Sequence, residues 1–166
     1  MSCLRSLSET ISIIWMPEKV DSSGRVMAID YGRARIGIAI SDPLRILARG
    51  LETIHWNGRE DLKTLDRIAA VVNREAPTVL LVGLPRRTDG EQGQAEDEVR
   101  AFAESLKERT GLEPVFRDER YTTVLAHRIL NDVNYGEGRK AVIDQVAAEV
   151  LLQDYLDEIR SGGSSG

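Results

Sequence analysis

Val26-Met-Ala-Ile-Asp-Tyr-Gly-Arg-Ala-Arg-Ile-Gly-Ile-Ala-Ile-Ser-Asp42 is the stretch whose reading decides the fold. Val26 to Ile29 is a continuous apolar run closed by Asp30-Tyr31-Gly32, which reads as a buried strand ending in a tight turn. Ile36 to Ile40 reads as a second strand, reached through a hairpin-like connection in which Gly32 and Gly37 lie either side of Arg33-Ala34-Arg35. Ser41-Asp42-Pro43 ends that strand with turn residues. Asp30 thus closes an apolar strand, where a carboxylate is costly unless something pairs with it.

Outward from this hairpin, the chain alternates strands and helices. Ile46 to Ile54 reads as a third strand. From Asp61 to Glu75 the apolar positions Leu62, Leu65, Ile68, Ala69 and Val72 recur at helical spacing, and Pro77 marks the stop. Val79 to Val82 is a further buried strand, closed by Gly83-Leu84-Pro85 and followed to Gly93 by a polar segment that reads as a mobile loop. Val99, Phe102, Ala103 and Leu106 form a helical stripe ended by Thr110-Gly111. Val115 and Phe116 begin another strand, which delivers Asp118 and Glu119 at its end. Thr122 or Thr123 can cap a helix running to about Asn134. A last helix spans Ala141 to Ile159. This order implies an α/β sheet covered on both faces, with sites at the carboxyl ends of parallel strands.

Three carboxylates occupy positions that such a domain has reason to avoid. Asp30 and Glu119 end apolar strands, and Asp144 shares one helical side with Ala147, Ala148 and Leu151, so it is expected to look toward the sheet. Three acids brought together repel one another and are best relieved by divalent cations, which take hard oxygen ligands and catalyse phosphodiester cleavage. A metal-dependent nuclease is therefore the leading reading. Each acid also has a plainer role open to it: Asp30 as a turn residue before Gly32, Glu119 as the partner of Arg117 or Arg120, Asp144 as the partner of Lys140 one helical turn away. His55 and His127 are isolated, with no nucleophile at motif spacing.

At 166 residues, 42% hydrophobic and 30% charged, the chain suits one globular domain. A net charge of −5 argues against coating nucleic acid by bulk electrostatics but leaves room for a local basic rim. Arg33, Arg35, Arg45 and Arg49 follow the first strand, Arg86 and Arg87 a middle strand, and Arg117, Arg120 and Arg128 bracket Glu119. Arg139 and Lys140 precede Asp144. The single cysteine, Cys3, allows no internal disulfide, so a cytoplasmic location is the default. No stretch is apolar and long enough to span a membrane. Residues 1–24 read as an N-terminal extension, disordered or preceding the natural start, since Met16 stands before a short polar linker. Leu4, Leu7, Ile11 and Ile14 within it have helical spacing and form the one apolar stripe suited to a dimer contact. Residues 161–166 read as a flexible tail.

Four segments in order resemble the YqgF/RuvX family of bacterial RNase H-like proteins: Ala28 to Asp42; Val82-Gly-Leu-Pro85 with Asp89-Gly90; Asp118-Glu-Arg-Tyr-Thr-Thr123; and Lys140-Ala-Val-Ile-Asp-Gln-Val-Ala-Ala148. The resemblance implies an RNase H-like domain over residues 25–160, with a central mixed five-stranded sheet, its second strand antiparallel, flanked by helices. It implies a nuclease, chiefly for maturation of the 5′ end of pre-16S ribosomal RNA, with Holliday-junction resolution proposed for some members. Carried onto this chain, the metal-binding carboxylates fall on Asp30, Glu119 and Asp144, with Asp118 a fourth candidate. Asp30 would bridge or nearly bridge two Mg²⁺ or Mn²⁺ ions ~4 Å apart, Glu119 and Asp144 holding one each. Arg33, Arg35 and Arg120 would meet flanking phosphates through their forked guanidinium groups, joined by Arg86, Arg87 and Lys140. The chain departs from the family at Arg86-Arg87-Thr88, where an apolar residue and Asn are usual, and at Tyr121, where Leu is usual. Neither departure touches a carboxylate.

Two other readings stay open: a resolvase acting on branched DNA, and a non-catalytic RNA-binding factor in ribosome maturation. An actin-like ATPase or sugar kinase shares the strand followed by Asp-x-Gly, but this chain is too short for the second half of that fold and lacks a P-loop. The expected partner is nucleic acid, pre-ribosomal RNA or branched DNA, for a monomer or a homodimer.

Overall fold

The computed structural model of the chain describes residues 23–57, 62–84, 92–118 and 139–162, and of residues 92 and 139–144 the backbone alone. The expected N-terminal extension up to residue 22, the loop at 85–91, the helix at 122–134 and the tail from 163 lie outside the described residues. Strands β1 (Val26–Tyr31), β2 (Arg35–Ser41) and β3 (Ala48–His55) precede helix α1 (Leu62–Glu75). Strand β4 (Val79–Leu84), helix α2 (Gln92–Thr110), strand β5 (Pro114–Asp118) and helix α3 (Arg139–Gly162) follow. The strands form one sheet in the order β3-β2-β1-β4-β5. β2 runs antiparallel to both its neighbours, and β4 and β5 run parallel to β1. This is the mixed five-stranded sheet that the resemblance implied.

The pleat divides the apolar residues of β1 between two cores. Met27, Ile29 and Tyr31 point to one face with Ile36, Ile38, Ile40, Leu80 and Val82, where Leu65, Ile68 and Val72 of α1 and Val99, Phe102 and Leu106 of α2 cover them. Val26 and Ala28 point to the other with Ala39 and Leu81, covered by Ala148, Leu151, Leu152 and Leu156 of α3. Each buried Leu or Ile contributes about 1.5–3 kcal/mol relative to exposure, so both helical layers are held chiefly by these side chains. α1 ends as Pro77 requires: Ala76 turns into the left-handed region at φ 47° and donates to the Val72 carbonyl at 2.8 Å.

Several details differ from the sequence reading, among them Ser161 and Gly162, read as the start of a flexible tail, which belong to α3. Leu62, at the first helical position of α1, is 65% exposed, and Thr64 and Val71 are buried in the stripe instead. β3 begins at Ala48 rather than Ile46 because the Asp42 carboxylate accepts the N–H groups of Leu44, Ile46 and Leu47, holding residues 42–47 as a tight loop. Those backbone donors, the Leu47 N–H foremost, hold the Asp42 carboxyl below the usual carboxylate range. Arg45, read from the sequence as part of a basic rim, is only 5% exposed and belongs to this loop. It donates to the carbonyls of Gly24 at 2.8 Å and Ser23 at 2.9 Å and to the Thr78 hydroxyl at 3.0 Å, stapling the approach to β1 to the start of β4.

Candidate active site at the carboxyl ends of the parallel strands

Asp30 is the fifth residue of β1, the central strand, and lies at its carboxyl end. Because it alternates with Ile29 and Tyr31, it belongs to the α3 side of the sheet. It is half-buried, and its partner across the ladder on β2 is Gly37. On the other side Ile29 pairs with Val82, so the next residue of β4 beside Asp30 is Gly83. The positions directly beside Asp30 on both neighbouring strands are therefore glycines. Glycines there add no side-chain bulk beside the strand end, and a carboxylate is a donor suited to a hard cation.

The β1–β2 turn presents the first two candidate phosphate ligands. Gly32 donates its N–H to the Arg35 carbonyl at 2.9 Å, and a Cβ on Gly32 would lie 2.6 Å from that oxygen, so only glycine closes this turn. Arg33 stands exposed on the turn, with its Nε 3.8 Å from a Glu98 carboxylate oxygen on α2, an exposed pair that leaves it free to rearrange toward a ligand. Arg35 opens β2 on the same side of the sheet as Gly37, and hence as Asp30. Trp56, which the sequence reading passed over, fixes the turn from behind. Its indole N–H donates to the Gly32 carbonyl at 2.7 Å and its backbone N–H to the Ala34 carbonyl at 3.1 Å. The Trp56 ring stands edge-on to Tyr31 at 5.2 Å, and Tyr31 contacts Phe102 at 4.9 Å.

α3 crosses the Asp30 side of the sheet from β3 to β5. At the β3 edge, Glu149 accepts the Gly50 N–H at 2.9 Å and Gln153 accepts the Ala48 N–H at 2.9 Å. Toward the carboxyl end of the helix Arg117 of β5 pairs with Glu158 and lies over the Tyr155 ring, its guanidinium carbon 5.8 Å from the ring centre. Burial pushes the nearby Asp154 carboxyl upward, with the Arg117 charge opposing that shift. Gln153 meets Ala48, in the row of Ser41, whereas Gln145 meets Gly50, in the row of Ala39 and Ala28. The helix therefore runs with its amino end toward the Asp30 end of the sheet, and positions 140 and 144 lie in that part of it.

Asp118 closes β5 opposite Leu84, which packs into the α1–α2 core, so the register sets Asp118 on the face away from Asp30. Arg117, one residue earlier, faces α3. Glu119, Arg86, Arg87 and Arg120 lie outside the described residues, as do the side chains of Lys140 and Asp144. Among the described residues no three His, Cys, Asp or Glu side chains converge on one point, and no helix is long and apolar enough to cross a membrane.

Comparison with known proteins bears on this arrangement directly. Residues 24–158 match the family model described as "RuvX: Holliday junction resolvase". A "Putative pre-16S rRNA nuclease" of Moorella thermoacetica is 44% identical over 141 residues, covering 84% of this chain and 99% of the relative. A protein of the same name from Roseiflexus sp. is 43% identical, covering 82% of this chain and 96% of the relative. Among solved structures, the Thermus thermophilus RuvC in complex with Holliday junction substrate superposes with a TM-score of 0.56 at 14% identity, over 84% of this chain and 96% of that one. A second Thermus thermophilus RuvC structure gives 0.51 over 82% and 96%. At that identity the likeness establishes the RNase H-like fold, and the family match establishes the rest: the chain belongs to the RuvX family of nucleases.

Proposed function

We propose that the chain is a divalent-metal-dependent nuclease of the cytoplasm, acting through residues 25–160 in maturation of the 5′ end of pre-16S ribosomal RNA. The observation that carries this reading is the match to relatives of that name over nearly their whole length, 96–99% of each. Asp30, Glu119 and Asp144 hold two Mg²⁺ or Mn²⁺ ions, and the donor chemistry fits, since carboxylates suit these hard cations. Such an ion pair supplies an activated water and stabilises the leaving oxygen. Asp30 contributes a rigid donor, set in the sheet between two glycines. Arg33 and Arg35, carried by the β1–β2 turn, and Arg86, Arg87, Arg120 and Lys140 hold the substrate phosphates on either side of the scissile bond. Asp118 stays outside the ligand set, because it belongs to the other face of the sheet.

The family description favours a second reading, cleavage of four-way DNA junctions, which would call for a symmetric homodimer placing two sites across one branch point. A monomer suffices for RNA trimming. The test is cleavage of a single-stranded pre-ribosomal leader RNA and of a four-way DNA junction, with Mg²⁺, Mn²⁺ or EDTA, by the wild type and by Asp30→Asn and Asp144→Asn. Metal-dependent cutting of the RNA, lost in both variants, is the expected outcome. Preferential cutting of the junction would transfer the function to DNA. Binding of RNA without cleavage by any form would replace the nuclease with an RNA-binding factor.

A further inference from the structure

We infer that Gly50, on the edge strand β3, is a positioning residue for Asp144, acting through the seating of α3; the inference rests on the proposed role of Asp144 as a metal ligand. A Cβ built on Gly50 would lie 2.3 Å from Cγ, 2.4 Å from Nε2 and 2.8 Å from Cδ of Gln145. Gln145 is the residue after Asp144. Cγ is set by χ1 rather than by the far end of the side chain, so relief requires Gln145 to leave its rotamer at the root or α3 to shift away from β3.

The contact is part of a ladder that sets how far α3 slides along the sheet. β3 is an edge strand, and the N–H groups of Ala48 and Gly50 donate not to β2 but to Gln153 and Glu149 of α3, both at 2.9 Å. Gln153 also donates to the Ile46 carbonyl at 3.1 Å. Glu149 and Gln153, four apart on the helix and so spaced by about 6 Å, meet Gly50 and Ala48, two apart on the strand and so spaced by about 6.7 Å. Gln145, one turn before Glu149, lies against the same Gly50 whose N–H Glu149 accepts. β3 is offset at this point: Ile38 pairs with Glu52 but Ala39 with Gly50, leaving Leu51 as an extra residue. The bulge keeps Gly50 and Ala48 on the α3 side while Glu52 faces α1, where it pairs with Arg67. Bulge, glycine and polar row together fix the amino end of α3, and with it position 144, relative to Asp30.

The test compares Gly50→Ala, Gln145→Ala, the double variant Gly50→Ala/Gln145→Ala, and Asp144→Asn, by Mn²⁺ titration calorimetry of the protein without nucleic acid, with cleavage and thermal unfolding alongside. A displacement of about 1 Å at a ligand is expected to weaken Mn²⁺ binding and cleavage by about 10–100-fold in Gly50→Ala. The double variant, in which nothing remains beyond Cβ at 145, restores Mn²⁺ affinity toward that of Gln145→Ala. A purely structural glycine would lower the unfolding temperature and leave Mn²⁺ affinity in place, which would overturn the inference. It is equally overturned if the double variant binds Mn²⁺ as weakly as Gly50→Ala, and that comparison stands even where the single variant fails to fold. If Asp144→Asn itself binds Mn²⁺ as the wild type does, the ligand reading fails first, independently of Gly50.

Discussion

Trp56 offers the sharpest link between packing and substrate contact. Replacing it with Phe keeps an aromatic ring against Tyr31 and Phe102 but removes the indole N–H that reaches the Gly32 carbonyl at 2.7 Å. A neutral hydrogen bond of this kind contributes about 1 kcal/mol net, and the smaller ring forfeits a further fraction of a kcal/mol of apolar contact. For a chain of this length each kcal/mol lowers the unfolding temperature by about 2–4 °C. The loss is local to the turn that carries Arg33 and Arg35, while Asp30 remains held by its ladder with Gly37. RNA affinity should therefore fall by up to about fivefold, the equivalent of 1 kcal/mol, with kcat close to wild type. Thermal unfolding and fluorescence titration of a labelled leader RNA measure the two effects. An unfolding temperature and RNA affinity both equal to wild type would refute the view that Trp56 holds the turn.

Arg45→Met removes three hydrogen bonds from a charged donor at the end of the sheet opposite Asp30; a stability loss of about 2–3 kcal/mol in urea unfolding, with kcat retained, is expected. The Asp42 carboxyl is depressed by the N–H groups of Leu47, Ile46 and Leu44, so its contribution to stability is complete above the ordinary Asp value and is lost as pH falls through the lower folded value. Amide shifts of those three residues should therefore titrate below the usual Asp range, and titration at or above it would contradict the loop geometry. Asp118→Asn should keep metal-dependent cleavage where Asp30→Asn abolishes it, as measured in the same RNA assay; equal losses would return Asp118 to the ligand set.

The fold was legible because its signals are local. The unbroken four-residue apolar runs at Val26–Ile29 and Val79–Val82 read as strands buried on both faces because they are short and because Gly32 and Pro77 punctuate them. Asp30 was legible for the same reason, as a charge at the end of such a run. What holds the site in place was not. Trp56, Gly50, Glu149 and Gln153 act across separations of 24 to 105 residues, and nothing in their own neighbourhoods distinguishes them from an ordinary aromatic, a strand glycine or solvated helix residues. The one local hint was Glu149 and Gln153 at a four-residue spacing within the apolar run from Ala147 to Leu156. Arg45 shows the converse failure: by composition it belongs with Arg33, Arg35 and Arg49, yet a left-handed backbone at φ 56° turns it inward to staple two strands. Charge clusters read along a sequence cannot separate arginines that bind phosphate from those that bind carbonyls.

The pleat also separates Asp118 from the residue before it. Successive residues of a strand point to opposite faces, so Arg117 and Asp118 serve opposite sides of the sheet. Arg117 is committed to α3 through Glu158 and Tyr155, and Asp118 to the other side through the pairing with Leu84. The proposed ligands then differ in how they are held. Asp30 sits on a strand held by backbone ladders to β2 and β4, which no side-chain substitution at the periphery removes. Position 144 belongs to a helix docked by side chains of its middle and carboxyl-terminal half, on β3 and on β5. Substitutions far from the chemistry should therefore reach the site through α3 and leave the β1 carboxylate where it is, so that peripheral variants weaken metal binding without erasing it, whereas loss of Asp30 removes the donor around which the others are arranged.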